Sequence, residues 1–251
     1  MKGMAPGHTA AALATARRVL AQLRHDPRTL ALLFGAPILL NGLLAWILSG
    51  SPGAFDHWGA VLVGLFPLMI MFMITSVATL RERTSGTLER LMAMPVAKSD
   101  FIAGYAIAFG ALAAAQAIVV SAATFGLFGL EVMGPVAMVL LVAVLDALLG
   151  MALGLFVSAF ANTEFQAVQF FPALLLPQLL LCGLIAPTSS LPTFLHAVSV
   201  VLPLTYAVNA MKDLTTQSGI SSTIWRDIAV LVGFLVGLLA AGAATLRRRT
   251  P

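Results

Sequence analysis

The chain has 251 residues, of which 60% are hydrophobic and only 10% charged, with a mean hydropathy of +0.99 and a formal net charge of +4. Soluble domains carry about 25% charged residues, so this composition excludes a water-soluble globule. It also excludes a disordered chain, which would be poor in apolar residues, and the lone Cys182 excludes an intrachain disulfide scaffold. What remains is a multi-span membrane protein.

In chain order, residues 10–25 are predicted to form an interfacial helix. Leu13, Ala16, Val19, Leu20 and Leu23 fall on one face at helical spacing, with Arg18, Gln22 and His25 opposite. Arg17, Arg18 and Arg24 are positioned to snorkel toward phosphate headgroups as an anchor. Asp26-Pro27 breaks this helix. Crossing the hydrocarbon layer takes about 20 apolar residues, and six stretches meet that test: 30–49, 59–80, 101–130, 135–160, 165–186 and 228–246. The first is too long for a signal-peptide core and reads as a retained span. Without alternating periodicity these runs are helices rather than barrel strands.

Residues 191–211 are apolar enough for a seventh span but contain Pro192, Pro203, His196 and Asn209. Charge decides between the counts. With six spans, only Lys212 and Arg226 of the 14 basic residues fall on the side opposite the termini. The positive-inside rule makes the rich side cytoplasmic, so both termini are predicted to be cytoplasmic. Residues 187–211 then form an outer or re-entrant segment. The chain reads as one transmembrane domain, 1–251. Its basic residues are explained by topology and membrane lipid, with no nucleic-acid partner.

Charge is concentrated in the loop after the second span, from Arg81-Glu82-Arg83 to Glu89-Arg90. From Thr87 a short amphipathic helix is expected, with Leu88, Leu91 and Met92 on one face and Pro95 as its stop. Such a segment, 83–97, is suited to act as a lever between two spans. By charge alone the solvated loop is the favoured reading.

Within the spans, Asp146 is a central acid, which costs at least about 2.5–3.5 kcal/mol on the insertion scale and so should face the bundle interior. Asp146, Gln169, Gln116 and Gln178 are the candidates for lining or gating a pathway; structural bonds between helices are the alternative use. Asn41, Thr75 and Ser76 have the same two uses. Thr163 with Gln166 fits a capping box, and Glu164 suits the helix dipole there. No phosphate-binding loop G-x-x-x-x-G-K-[ST], H-E-x-x-H pair or G-x-S-x-G elbow is present. A catalytic or metal site is therefore not expected, and Cys182 reads as an apolar filler.

Arg81 through Val96 resembles the R-E-R-x-x-G-T-L-E-R-L-x-x-x-P signature of type-2 ATP-binding-cassette (ABC) transporter permeases. Ser158-Ala159-Phe160-Ala161-Asn162, Glu164-Phe165-Gln166, Gln169, Pro177, Gly183, Pro187 and Pro203-Leu204-Thr205-Tyr206-Ala207 resemble that family's late segment. The resemblance runs from about Arg17 to Arg249. It implies an all-α membrane fold of six transmembrane helices, with an N-terminal interfacial helix, a cytoplasmic coupling helix after the second span and an extracellular re-entrant element between spans five and six. It further implies that Gly86, Thr87, Leu88, Glu89, Arg90 and Leu91 dock on a separate nucleotide-binding subunit. That subunit binds ATP and Mg, leaving this chain non-catalytic and without a cofactor of its own.

A second permease, identical or paralogous, is implied as partner, and the bacterial inner membrane as location. The expected function is export of an amphiphilic drug, antibiotic or lipid-like substrate, the resemblance being greatest to drug-resistance permeases. Export of a polysaccharide or lipid-linked sugar by the same family is the competing reading. An ion-coupled transporter without an ATPase is another, though it would want more charge along its path.

Overall fold

Long apolar runs leave a backbone in lipid with one solution, because each amide must find its partner within its own segment. The computed structural model describes residues 8–51, 53–84 and 98–245, and among these the only regular structure is helical. The helices are α1 (His8–Arg24), α2 (Pro27–Ile47), α3 (Ala54–Thr84), α4 (Lys98–Gly126), α5 (Val136–Ser158), α6 (Glu164–Leu181), α7 (Thr193–Val200), α8 (Pro203–Thr216) and α9 (Ser222–Thr245), with a 3₁₀ turn at Thr188–Ser190. Six are long and apolar enough to cross a membrane: α2, α3, Ala103–Gly126 of α4, α5, α6 and α9. Helices α7 and α8 both begin within 187–211, the segment expected to be outer or re-entrant, and meet at 86°.

Helices α3 and α5 form the centre, while most of α2, α6 and α9 is exposed on the flanks. The centre is tight because α5 presents Gly150 and Gly154, one turn apart, to the backbone of α3. A methyl group on Gly150 would fall on the Leu68 carbonyl, and one on Gly154 would stand 2.6 Å from the Phe72 carbonyl oxygen. Small residues spaced by four are the usual means of close approach between helices that gain nothing from expelling water. Gly104 does the same for α4 on α1, where an added methyl would sit 2.7 Å from the Ala12 carbonyl oxygen.

Local sequence sets the helix ends. Asp26 caps α2, accepting from Thr29 N at 3.2 Å and from Thr29 Oγ1 at 2.6 Å, with Pro27 at the first helical position. These bonds hold the Asp26 carboxyl below its ordinary pKa. Thr163 caps α6 by accepting from Gln166 N at 3.2 Å, and Gln166 Oε1 reaches back to Asn162 N at 2.8 Å. The return bond thus lands one residue before the cap. The apolar run of the fifth span continues to Ala186, but α6 stops at Leu181, just before Gly183 takes φ +87°.

Both ends of the bundle are defined by cross-links. At one end lie α1, the C-terminal ends of α3 and α5, the start of α6 and the end of α9, with Gly242 against Phe156. At the other end Asp56 Oδ1 accepts from Glu131 N at 2.9 Å, and Gly134 N donates to Leu214 O at 2.8 Å.

Candidate coupling site at the basic end of the bundle

Successive residues on a helix point about 100° apart, so three consecutive charges at a helix end reach in three directions. Arg81, Glu82 and Arg83 close α3 in this way. Arg81 makes a two-pronged ion pair with Glu164 at the start of α6, Nε to Oε1 at 2.7 Å and Nη2 to Oε2 at 2.8 Å. Glu82 Oε2 accepts from Arg18 of α1 at 3.3 Å, and the same Arg18 Nη2 lies 3.1 Å from the Tyr105 hydroxyl of α4. Arg83 donates to the Ser158 carbonyl at the C-terminal end of α5, where a cation also suits the helix dipole.

The three side chains therefore tie the end of α3 to α6, α1 and α5. The expected docking residues Gly86, Thr87, Leu88, Glu89, Arg90 and Leu91, with the rest of 85–97, lie outside the described residues. Their anchorage at 81–84 lies within them.

Of the expected anchor residues, Arg17 and Arg24 are exposed on α1, whereas Arg18 is turned into the Glu82–Tyr105 cluster. Of the pathway candidates, Asp146 is 2% exposed at the middle of α5 and faces α3, its Oδ2 2.7 Å from where a methyl on Gly64 would stand. Its Oδ1 has no hydrogen-bond partner among the described residues. Gln116 is fully buried and donates to the Leu33 carbonyl of α2 at 2.7 Å. Gln178 is buried and donates within α6, to Leu174 O. Gln169 is exposed on α6. The structure does not bring these four together.

A cavity of about 620 Å³ opens beside the charged cluster. One stripe of α3, from Ile70 through Met73 and Val77 to Arg81, forms its floor, and α1, α2 and α4 form the walls.

Sequence reasoning missed Asp227, whose side chain is fully buried at the start of α9, with Oδ1 2.7 Å from the largely exposed Arg226. The signal was available: Ile224, Asp227, Ile228 and Leu231 are buried at helical spacing, so Asp227 stands on the inner face of α9.

Residues 10–214 match the ABC-2 type transporter membrane family. The chain belongs to that family. This ABC-2 chain is 29% identical to ABC transporter G family member 20 of Dictyostelium discoideum, over 80% of its own length and 28% of the relative's. It is 23% identical to the probable multidrug ABC transporter permease YbhR of Escherichia coli, over 79% of its length and 55% of the relative's. It is 24% identical to the linearmycin resistance permease protein LnrN of Bacillus subtilis, over 72% and 46%. The ABC-2 chain thus spans about half or less of the length of these relatives. With six apolar helices of spanning length, it is a multi-pass membrane component of the ABC transporter type.

Proposed function

We propose that this chain is a membrane-spanning permease subunit of a bacterial ABC exporter, moving an amphiphilic drug, antibiotic or lipid-like compound out of the cytoplasm. The basic end of the bundle faces the cytoplasm, since Arg17, Arg18, Arg24, Arg28, Arg81 and Arg83 gather there while Lys212 and Arg226 do not. A separate ATP-binding-cassette subunit binds ATP and Mg and docks through Gly86–Leu91. A second permease copy or paralogue completes the pathway against the exposed flanks.

The observation that carries the reading is the rooting of Arg81, Glu82 and Arg83 on three different helices, immediately before the proposed docking segment. A push on that segment is delivered to α1, α5 and α6 together with α3. Motion of a soluble subunit thereby becomes motion of several membrane helices. Few charges within the spans suit an amphiphilic cargo, and the resistance named for the LnrN relative is consistent with such a compound.

The test is reconstitution. A co-expressed ATPase subunit is expected to copurify with the chain, and the complex in liposomes is expected to move amphiphiles only with ATP. Glu89→Lys is expected to leave the chain folded but to abolish cargo-stimulated hydrolysis. Copurification without any ATP-dependent movement across a panel of amphiphiles would count against export.

A further inference from the structure

The cavity beside the charged cluster has two chemically different ends. Along α3 its floor runs from Ile70 to Arg81, a length of about 17 Å at 1.5 Å per residue. The inner part is apolar, with Phe109 of α4 as a wall. The outer part carries Asp26, Glu82 and Arg81. Arg81 is already forked onto Glu164, using Nε and Nη2, and Glu82 is paired with Arg18. Asp26 accepts from Thr29 but has no ion-pair partner among the described residues. Among the described residues the Arg81–Glu164 and Glu82–Arg18 pairs at this mouth balance one another's charge, which leaves Asp26 as the lining carboxylate outside an ion pair.

We propose that this cavity is a binding site for an amphiphilic cation, its apolar tail lying along α3 between Ile70 and Val77 and its ammonium group against Asp26. An anionic headgroup would meet the Asp26 carboxylate and two guanidiniums already engaged, so charge complementarity selects the cation. The tail is held by a slot of mainly aliphatic side chains, the usual lining of a small-molecule site. The proposal rests on the export reading for its link to transport and names the class of cargo. Binding itself needs neither ATP nor a second chain, so the two readings fail separately.

The test uses the full chain in phosphatidylcholine nanodiscs and a quaternary ammonium probe with a photoreactive diazirine at the end of its alkyl tail. Crosslinks mapped by mass spectrometry are expected on α3 between Ile70 and Val77 or at Phe109. Dodecyltrimethylammonium is expected to compete, and dodecyl sulfate, with the same tail, is not. Asp26→Asn keeps a capping oxygen for Thr29 and is expected to weaken the competition about threefold, the scale of an exposed ion pair.

Ala78→Trp fills the slot and is expected to remove labelling. If that variant does not fold, competition on the unmodified chain decides. Labelling confined to the exposed faces of α6 and α9, equal competition by dodecyl sulfate, or an unchanged response in Asp26→Asn would each overturn the site. Labelling as expected without ATP-dependent transport would leave the site standing and refute export alone.

Discussion

The side-chain amide of Gln116 donates to the Leu33 carbonyl at 2.7 Å, and Leu33 is the residue whose helical donor Pro37 removes. A proline lacks the N–H that would bond the carbonyl four residues back. In a membrane that orphan oxygen has no water to turn to. Gln116 on α4 supplies the missing donor, so the break in α2 becomes its attachment to α4. This gives Gln116 a structural role with a specific partner.

Gln116→Leu is therefore expected to destabilise the protein by roughly 1–3 kcal/mol, the range for a buried acceptor left unpaired. Pro37→Ala restores the backbone donor and is expected to recover most of that loss in the double variant. A double-mutant cycle on thermal midpoints in detergent measures the coupling. Strict additivity would dissociate Gln116 from the proline.

The contact of α5 with α3 predicts a contrast between glycines. Gly150→Val places a branched side chain against the Leu68 backbone and is expected to cost more than about 3 kcal/mol, above the usual overpacking range. Gly237→Val on α9, where an added methyl meets nothing within 4 Å, is expected to be tolerated. Yield and monodispersity on size exclusion compare the two.

Asp26 links pH to the start of α2. Its folded pKa lies below the reference value of 3.8 because Thr29 donates to the carboxylate. The stabilisation is therefore complete above 3.8 and is lost as pH falls through the folded value. The protection factor of the Thr29 amide, its exchange relative to the intrinsic rate at each pH, is expected to fall over that acidic window. Asp26→Asn should flatten the dependence, and Asp26→Ala should raise exchange at every pH.

The spans were legible because about 20 apolar residues in a row leave little choice of structure. The cap at Thr163 was legible because its partner, Gln166, is three residues away. The pair Arg81–Glu164 was not, since 83 residues separate them and each has a sufficient local reading, one as inside charge and the other as dipole complement. Gln116 was ambiguous for the same reason: a buried amide in a span reads equally as pathway or as bond until its partner is placed. Asp227 stands beside Arg226, and an acid next to a base at a helix start has a sufficient local reading as a solvated pair.

The Arg81–Glu164 pair separates stability from coupling. Both side chains are more than half exposed, so the pair is worth at most about 1 kcal/mol despite its forked geometry. Glu164→Gln is expected to leave thermal stability nearly unchanged. Under the proposed mechanism it frees α6 from the end of α3 and is expected to lower cargo-stimulated ATP hydrolysis several-fold. The charge swap Arg81→Glu with Glu164→Arg is expected to recover part of it. Equal hydrolysis in the single variant and wild type would show that α6 is not driven through this pair.

Asp146 provides the sharpest test of a functional charge within the bundle. It is buried at mid-span, its Oδ1 has no hydrogen-bond partner among the described residues, and Gly64 leaves it room. A buried polar atom without a partner lowers stability, so packing alone does not account for the acid. Asp146→Asn is nearly isosteric and removes the ionisable group. It is expected to hold or raise the thermal midpoint while lowering transport several-fold in reconstituted liposomes. Stability and transport both at wild-type levels would show that the charge at this position serves neither the fold nor the pathway.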